Sequence, residues 1–378
     1  MESTLQTAID LYEYSRNHFW NGKSLIGPDP GVRWNRVLWR FLKSMLPFVN
    51  WNDDRYMLQC QGYWIRNNWT LFHLTGEARF RETAILASGE ILKQQHADGY
   101  WTYALPGWKG RIATVEGDYA ALGLLATYRE TGDPAMLDGA VRWYRFLITH
   151  TGFEEYRGTR CIRYFAGHGR DLVPNNATLT LEFFGELAGA AGDPAFLEHA
   201  DGMIRFLELA QLDSGELPYS FDVPWAKGRT HFMCYQYNAF QFLDLASFYQ
   251  TYPDATLKNI LHRSIGFLRT GLHPDGHCRY ACGKDYPEVT YYTAVLAAAF
   301  LKSSEIGLRE LREESEAAYR RLLQRRRKSG NYVYSTRNYG WLRDTRAYPR
   351  YLSMILKHWV MRIESEKKKP EAEKCASP

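Results

Sequence analysis

The chain has 378 residues, of which 45% are apolar, 15% aromatic and 24% charged, a composition typical of a globular protein with a large core. Its formal net charge of +5 is scattered along the sequence, so we expect no nucleic-acid partner. The sequence has no apolar run near the roughly 18 residues of a membrane span, no basic-then-apolar leader and no disulfide-type cysteine spacing, which predicts a cytoplasmic protein.

The first helical segments fall within residues 1–50, and we expect them to supply outer helices of the fold. Within them, residues 33–48 (RWNRVLWRFLKSMLPF) mix Arg and Lys with Trp, Leu and Phe at near-helical spacing. An outer helix packed on the core is the favoured interpretation. The alternative is a helix that rests on a membrane surface.

Beyond residue 50 the chain repeats a glycine turn that is followed four residues later by a tyrosine. The copies pair Gly99 with Tyr103, Gly215 with Tyr219, Gly276 with Tyr280 and Gly330 with Tyr334, and Tyr164 marks a degenerate fifth copy. The tyrosines are 61, 55, 61 and 54 residues apart. Such a period indicates one supersecondary unit repeated along the chain.

The segments between the turns alternate between two kinds of helix. Residues 78–95, 134–150, 194–211 and 255–272 carry an apolar stripe and a charged face, as outer helices do. Six segments are small or apolar around most of their surface, which predicts buried inner helices: 56–74, 112–128, 173–188, 230–249, 287–303 and 347–360. We therefore predict an all-α fold, an (α/α)6 toroid of six inner and about six outer helices in one domain, residues 1–363. The charged tail, residues 364–378, is expected to be disordered.

The first glycine turn carries a recognisable motif. Gln95, Gly99 and Trp101 have a Q-x3-G-x-W spacing, which resembles the QW motif of the squalene–hopene cyclase and prenyltransferase-type α/α toroids. The same toroid is shared by six-hairpin glycosidases, uronic-acid polysaccharide lyases and glucuronyl epimerases. The resemblance covers nearly the whole chain as architecture, but other residues replace the tryptophan in the later turns. We expect Trp101 and Tyr103 to pack between repeats.

In a toroid the cavity lies at one end of the barrel, and polar residues of this chain collect in the N-terminal halves of the inner helices. Some of them have helix capping as an alternative role. The whole set is hard to explain as packing, since an unsatisfied buried polar group costs about 1–3 kcal/mol. The candidate catalytic residues are Glu116, Asp118, His231, Tyr235, Tyr237 and Glu288. The candidate substrate-binding residues are Gln61, Trp64, Asn67, Asn68, Asn175, Asn176, Asn238, Tyr291, Tyr292, Arg346 and Arg350.

These residue types favour a carbohydrate substrate, because amides, phenols and arginines bind hydroxyl groups and aromatic rings stack on sugar faces. Basic residues in the same turns favour an acidic, uronate-containing saccharide. Lyase or C5-epimerase chemistry needs a base and an acid at the sugar's α-proton, and we assign the base to His231 or Tyr235 and the acid to a second tyrosine. Asn175, Asn176 and Arg350 would neutralise the substrate carboxylate.

Three alternative functions remain. Glycoside hydrolysis needs two carboxyl groups about 5–5.5 or 6.5–9.5 Å apart, for which Glu116 or Asp118 would face Glu288. A terpenoid cyclase or prenyltransferase role is weaker, because the chain has neither a D-x-D-D acid nor an Asp-rich metal motif. A binding scaffold without catalysis is the third alternative.

Cysteine and histidine spacing raises the question of a metal. His231 and Cys234, together with Cys278 and Cys282, could assemble zinc ligands. However, Cys278 occupies the repeat position of Trp101, which is typical of the core, and the spacing is not that of a finger or a ribbon. We therefore predict no metal ion and no cofactor.

Overall fold

The computed structural model describes residues 3–32, 35, 38–108 and 110–375, with side chains as far as residue 368. These residues form thirteen α-helices. In chain order they are α1 (Thr4–Phe19), α2 (Trp39–Met45), α3 (Leu58–Thr75), α4 (Ala78–Gln94), α5 (Thr114–Thr131), α6 (Pro134–Phe146), α7 (Pro174–Ala191), α8 (Ala200–Ala210), α9 (Cys234–Thr251), α10 (Ala255–Arg269), α11 (Thr290–Glu305), α12 (Arg312–Leu323) and α13 (Pro349–Cys375).

The long helices form two concentric rings. Helices α3, α5, α7, α9, α11 and α13 contact one another in this order, and α13 contacts α3, which closes the inner ring. Each inner helix also contacts an outer partner, in turn α4, α6, α8, α10, α12 and α1. Thirteen of the sixteen residues of α11 are buried, against four of the twelve of its partner α12. The predicted (α/α)6 toroid with six inner helices is confirmed, and α1 completes the outer ring.

Short antiparallel strands brace the loops between the helices. Strand β1 (Gly27–Pro28) pairs with β2 (Asp54–Arg55), and β3 (Phe153–Tyr156) pairs with β4 (Thr159–Ile162). A three-stranded sheet has the order β5 (Glu288–Val289), β6 (Ser335–Asn338) and β7 (Leu342–Asp344). In its register Glu288 lies opposite Thr336 and Ser335 opposite Asp344. The sheet joins the start of α11 to the loop before α13.

The repeated glycine turns have one backbone geometry. Their φ angles lie between 89° and 93°, in the left-handed region, at Gly99, Gly215, Gly276 and Gly330. A Cβ at Gly99 would lie 2.5 Å from the carbonyl oxygen of Arg142, and one at Gly215 2.2 Å from that of Arg263. Both the φ angle and the close approach to the next outer helix therefore require glycine.

The glutamine of the QW-like motif fastens this turn. Gln95 Nε2 donates to the carbonyl of Gly99 at 2.9 Å and to that of Gly139, on the next outer helix, at 2.8 Å. Gln211 makes the equivalent pair of hydrogen bonds in a later turn. Trp101 is buried, as predicted. The motif is thus structural, linking consecutive hairpins.

The last helix extends into the charged tail, whose predicted disorder stays a prediction. Helix α13 runs to Cys375 and so enters the segment 364–378, which we expected to be disordered. Arg362 pairs with Glu366 one turn later at 2.8 Å, and Lys367 donates to the carbonyl of Leu74 at 2.9 Å. An ion pair at i,i+4 and a tertiary contact stabilise helical turns that composition alone does not predict. Residues 376–378 lie outside the described residues.

The basic aromatic segment 33–48 is only partly described, since residues 33, 34, 36 and 37 lie outside the described residues. Helix α2 buries Phe41 and Lys43. Large apolar side chains around it are exposed: Leu38, Trp39, Leu42, Met45 and Phe48. The favoured interpretation, an outer helix packed on the core, thus fits one face of α2, and membrane contact stays a prediction. No helix among the described residues is long and apolar enough to cross a membrane.

Candidate active site

A cavity of about 1110 Å³ lies at the end of the barrel where the inner helices begin. The first turns of all six inner helices contribute to its lining: Gln59, Glu116, Asn175, Tyr237, Tyr291 and Arg350. The N-terminal end of a helix carries a partial positive charge. Six converging helix starts therefore favour negative charge inside this cavity.

The repeated tyrosines face this cavity. Tyr103, Tyr164, Tyr219, Tyr280 and Tyr334 all line it. Seven more bring tyrosine to twelve of the 34 lining residues: Tyr119, Tyr237, Tyr286, Tyr291, Tyr292, Tyr339 and Tyr351. Tyr103, which we expected to pack between repeats, packs against the core and also lines the cavity. The glycine turn directs each tyrosine to the barrel mouth, where its ring can stack on a sugar and its hydroxyl can form hydrogen bonds.

Six of the seventeen predicted site residues line the cavity: Glu116, Asn175, Tyr237, Tyr291, Tyr292 and Arg350. Each lies in the first turn or turns of an inner helix, where the N-terminal halves were expected to converge. The other eleven lie elsewhere in the molecule.

Glu116 is the single carboxyl group among the described residues that line the cavity. It lies in the first turn of α5, and its Oε2 accepts a hydrogen bond from the backbone N–H of Gln59 at 3.1 Å. Burial raises the pKa of Glu116 to about 7, although the Arg350 charge and backbone N–H groups of α3 act to lower it. A carboxyl group with a pKa near neutrality gains and loses a proton readily at physiological pH, as a general acid or base must.

Arg350 is held by a buried ion pair. Its Nε lies 2.8 Å from Asp29 Oδ2, and its Nη2 donates to Asp29 Oδ1 at 2.9 Å. Its Nη1 donates to Gln59 Oε1 at 3.2 Å. Arg350 is thus held between Asp29 and Gln59, and the backbone N–H of Gln59 binds Glu116.

Three further cations line the cavity, one from helix α2 and two from the segments before α11 and α13. Arg40 donates to an asparagine side chain at 2.6 Å, Lys284 lies 5.0 Å from a tyrosine ring centre, and Arg337 lies 4.5 Å from another. The partners in these contacts are uncharged. With Glu116 as the single lining carboxyl among the described residues, the cavity wall favours an anionic ligand.

His231 and Tyr235, the predicted bases, lie outside the cavity lining. His231 Nδ1 is 2.7 Å from Glu216 Oε2, and 56% of the histidine side chain is exposed. Tyr235 turns away from the barrel axis and stacks on Phe267 of α10, with ring centres 5.0 Å apart. Two residues along a helix correspond to a rotation of about 200°, so Tyr237 faces the cavity while Tyr235 faces the outer ring.

Asp118 lies outside the cavity for the same reason, two residues after Glu116. Its Oδ1 accepts a hydrogen bond from Trp143 Nε1 at 2.9 Å, and its Oδ2 accepts one from the Thr180 hydroxyl at 2.7 Å. Burial raises the pKa of Asp118 to about 7, against the lowering effect of these two donors. Asp118 therefore links helices α5, α6 and α7.

Glu288 is bound by two arginines, one in the outer helix α12 and one just after it. Arg321 donates from Nε to Oε1 at 2.9 Å and from Nη2 to Oε2 at 2.8 Å, and Arg325 donates from Nε to Oε1 at 2.8 Å. Burial opposes ionisation, but the hydrogen bonds and charges of both arginines hold the pKa of Glu288 below its ordinary value. The carboxyl pair required by the hydrolase alternative is thus not assembled among the described residues of the cavity.

Most of the predicted substrate-binding amides bind the protein's own backbone. Asn238 Oδ1 accepts the N–H of Leu217 at 2.7 Å, and its Nδ2 donates to the Leu217 carbonyl at 2.9 Å. Gln61 brackets Leu25 in the same manner, at 3.0 and 2.7 Å. The amides that lie outside the cavity lining are Gln61, Asn67, Asn68, Asn176 and Asn238. A buried amide that fastens a loop has the same sequence signature as one that binds a ligand.

Trp64 and Arg346 also lie outside the cavity lining. Trp64 stacks on Tyr12 of α1, with ring centres 4.7 Å apart and planes 6° from parallel. Arg346 Nη2 lies 2.9 Å from Asp53 Oδ1. Trp64 thus joins α3 to α1, and Arg346 joins the loop before α13 to the segment before α3.

Sequence reasoning missed the wall on the α13 side of the mouth. It is formed by Arg40 of α2 and by residues 337–340, in the hairpin between β6 and β7. The helical periodicity of residues 33–48 gave no indication that Arg40 faces a cavity. The basic and aromatic residues that follow Tyr334 are the signal that could have revealed the hairpin.

No protein-family model matches the chain, and no curated protein is significantly similar to it in sequence. Solved structures match nearly all of it. A polysaccharide lyase has a TM-score of 0.66 and 11% identity, with 97% of this chain and 99% of that chain covered. A glycosyl hydrolase family 88 protein from Bacteroides vulgatus has a TM-score of 0.67 and 12% identity, covering 96% and 100%. A cellobiose 2-epimerase from Bacillus thermoamylovorans has a TM-score of 0.70 and 13% identity, again covering 96% and 100%. The chain therefore shares the α/α-toroid fold of these three proteins.

Proposed function

We propose that the protein is a carbohydrate-active enzyme that acts on an acidic, uronate-containing saccharide by acid–base chemistry of the lyase or C5-epimerase type. The observation that carries this proposal is Glu116, a carboxyl group with a pKa of about 7 in a cavity lined by tyrosines and cations. The fold, shared with a lyase, a hydrolase and an epimerase, is consistent with a saccharide substrate.

Substrate binding would combine stacking of tyrosine rings on the sugar with attraction between cationic side chains and the uronate carboxylate. The volume of about 1110 Å³ is at the upper end of small-molecule pockets, enough for more than one sugar ring. Tyrosine rings would contact the apolar sugar faces, and their hydroxyls would bind sugar hydroxyl groups. Arg40, Lys284 and Arg337, together with the six helix starts, would attract the uronate carboxylate.

Glu116 replaces His231 and Tyr235 as the proposed base. Its carboxylate would remove the C5 proton, and the cations would stabilise the negative charge that develops on the uronate carboxyl. In an epimerase a proton returns to C5 from the opposite face; in a lyase the C4–O bond breaks and the leaving oxygen takes a proton.

A cavity tyrosine is the proposed proton donor. Burial raises the pKa of Tyr103 well above its ordinary value, and the nearby charge of Glu116 raises it further. Tyr103 therefore stays protonated at neutral pH, as a proton donor must be. The same hydroxyl groups would quench a hydrocarbon cation and the cationic side chains would repel it, which argues against terpenoid cyclisation.

The test is an assay of the full chain on matched acidic and neutral oligosaccharides of equal length in deuterium oxide. Unsaturated-uronate absorbance would identify a lyase, and deuterium at C5 without cleavage would identify an epimerase. New reducing ends with neither signal would favour the hydrolase alternative. Binding of the acidic oligosaccharide without any chemical change would favour a scaffold and contradict the proposal, as would a preference for the neutral one.

A further inference from the structure

Four metal-ligating side chains meet beside the cavity, at the start of α9. Glu216, His231, Cys234 and Cys282 each place one ligand atom within 4.8 Å of all the others. The two sulfur atoms are 3.3 Å apart, Cys282 Sγ lies 3.9 Å from Glu216 Oε2, and His231 Nδ1 lies 2.7 Å from the same oxygen. Three separate loops therefore converge on one point.

We propose that Glu216, His231, Cys234 and Cys282 bind one structural zinc ion. Zinc in proteins takes four N, S or O ligands in a tetrahedron, with bonds of about 2.0–2.3 Å. The ligand atoms of such a tetrahedron are about 3.3–3.8 Å apart, and the three separations given above are 2.7, 3.3 and 3.9 Å. Two thiolates with an imidazole and a carboxylate form a donor set that suits zinc better than magnesium or calcium.

Hydrogen bonds around the cluster orient the ligand atoms. Glu216 is buried, and its Oε1 accepts the backbone N–H of His231 at 2.9 Å, which leaves Oε2 toward the cluster. The backbone N–H of Cys282 points to Cys234 Sγ at 3.2 Å, and the Tyr235 hydroxyl lies 3.8 Å from Cys282 Sγ. Donors of this kind stabilise metal-bound thiolates and fix the ligands in place.

The fourth ligand is Glu216 and not Cys278, which the sequence spacing had suggested as a ligand. The Cys278 side chain is fully buried, and its Sγ lies 3.4 Å from the Arg279 carbonyl oxygen. Glu216 follows the repeat glycine Gly215 directly, so the turn geometry delivers it to the cluster. His231 and Cys234 supply two of the four ligands, and Glu216 and Cys282, from two other repeats, supply the remaining two.

A site with four protein ligands has no open position for a substrate, so the ion would be structural. It would tie the loop after α8 to the start of α9 and to the loop after α10. These loops carry cavity-lining residues close to the ligands in sequence: Tyr219, Phe232, Met233 and Lys284. Zinc would thus hold one wall of the cavity, and its binding would release a proton from each cysteine thiol.

The experiment measures metal content and thermal stability of the full chain, purified in zinc-supplemented buffer without chelators. We expect about one zinc ion per chain, and a chelator should lower the melting temperature. Cys282→Ser should lose the zinc and the chelator response. Cys278→Ser and Cys161→Ser, which remove buried cysteines outside the cluster, should keep both.

Cobalt substitution provides a readout that does not depend on stability. Cobalt in the unaltered chain should show tetrahedral d–d bands and thiolate charge-transfer absorption, which weakens in Cys234→Ser. Zinc retained in Cys282→Ser, or loss of zinc in Cys278→Ser with Cys161→Ser intact, would overturn the ligand assignment. A metal-free chain in which Cys234 and Cys282 are joined by a disulfide would overturn the site itself.

Discussion

The starts of α5 and α11 are built alike and hold their carboxyl groups in opposite environments. Thr114 opens α5 and Thr290 opens α11, and each donates its backbone N–H to the carbonyl of a repeat tyrosine at 3.0 Å. Glu116 follows its threonine by two residues and faces the cavity. Glu288 precedes its threonine by two residues and faces the outer ring, where two arginines bind it.

This difference shows that the pKa of a buried carboxyl group at a helix start depends on whether the group has a strong ionic partner. Burial is the largest influence on both groups. At Glu116 it prevails and the pKa rises to about 7, whereas at Glu288 the paired arginines prevail and the pKa falls. Two glutamates near similar helix starts thus differ: Glu116 is suited to the proposed proton transfer, whereas Glu288 is bound in ion pairs.

The largest effect should come from Glu116→Gln. Removing a positioned proton-transfer group costs about 100- to 10,000-fold in turnover, and the neutral amide keeps the shape of the side chain. Turnover of the acidic oligosaccharide at pH 7 measures this loss. Glu288→Gln is the matched control and should keep the turnover of the folded fraction within a few-fold. Equal losses in both variants would restore the hydrolase alternative.

Glu288→Gln should instead reduce the free energy of unfolding by about 3 kcal/mol, because breaking a buried ion pair leaves two arginines without their carboxylate. Urea unfolding at pH 7 measures the change. Glu155→Gln removes an exposed carboxylate that pairs with Arg160, and it should change stability by less than about 1 kcal/mol. If the two variants were equally stable, the ion pairs of Glu288 would contribute nothing.

The two carboxyl groups should give stability profiles of opposite slope. The folded pKa of Glu116 lies above its ordinary 4.5, so its contribution is fully present below pH 4.5 and is lost as the pH rises through about 7. The folded pKa of Glu288 lies below 4.5, so its contribution is present above pH 4.5 and is lost as the pH falls further. Unfolding of the unaltered chain and of each Gln variant between pH 3 and pH 9 measures both slopes. Parallel profiles would show that the two environments are alike.

Much of the fold could be predicted from the sequence, because the inner helices are apolar on all sides and the glycine turns recur at a regular spacing. The same apolar surface hides which side of an inner helix faces the cavity. Glu116 and Asp118, like Tyr237 and Tyr235, are two residues apart and point in opposite directions. An inner helix has no polar face, so its sequence pattern does not indicate which of two such residues points into the cavity.

The partners of the charged residues could not be predicted for a different reason. Glu288 and Arg321 are 33 residues apart, and Arg350 and Asp29 are 321 apart, so only the closed ring brings them together. Each was a reasonable candidate as an isolated residue. The role of each residue depends on a neighbour that another repeat supplies. A local sequence pattern contains no information about that neighbour.

The smallest effect should come from Tyr292→Phe, at the position of α11 that corresponds to Glu116. Tyr292 follows Thr290 by two residues, as Glu116 follows Thr114, and it lines the same cavity. Loss of one hydroxyl group that binds substrate should weaken affinity by about 1 kcal/mol, or roughly five-fold, with turnover at saturation unchanged. The Michaelis constant and kcat for the acidic oligosaccharide separate these effects.

Tyr319→Phe is the matched control, since this buried tyrosine donates to the His358 carbonyl at 2.8 Å and does not line the cavity. It should lower stability and leave the Michaelis constant unchanged. If Tyr292→Phe reduced kcat as strongly as Glu116→Gln, proton transfer would have to be assigned to both helix starts. The starts of α5 and α11 would then both take part in proton transfer, and they would differ only in Glu288. Glu288 would lie outside the cavity because it precedes its helix, and not because it belongs to a different repeat.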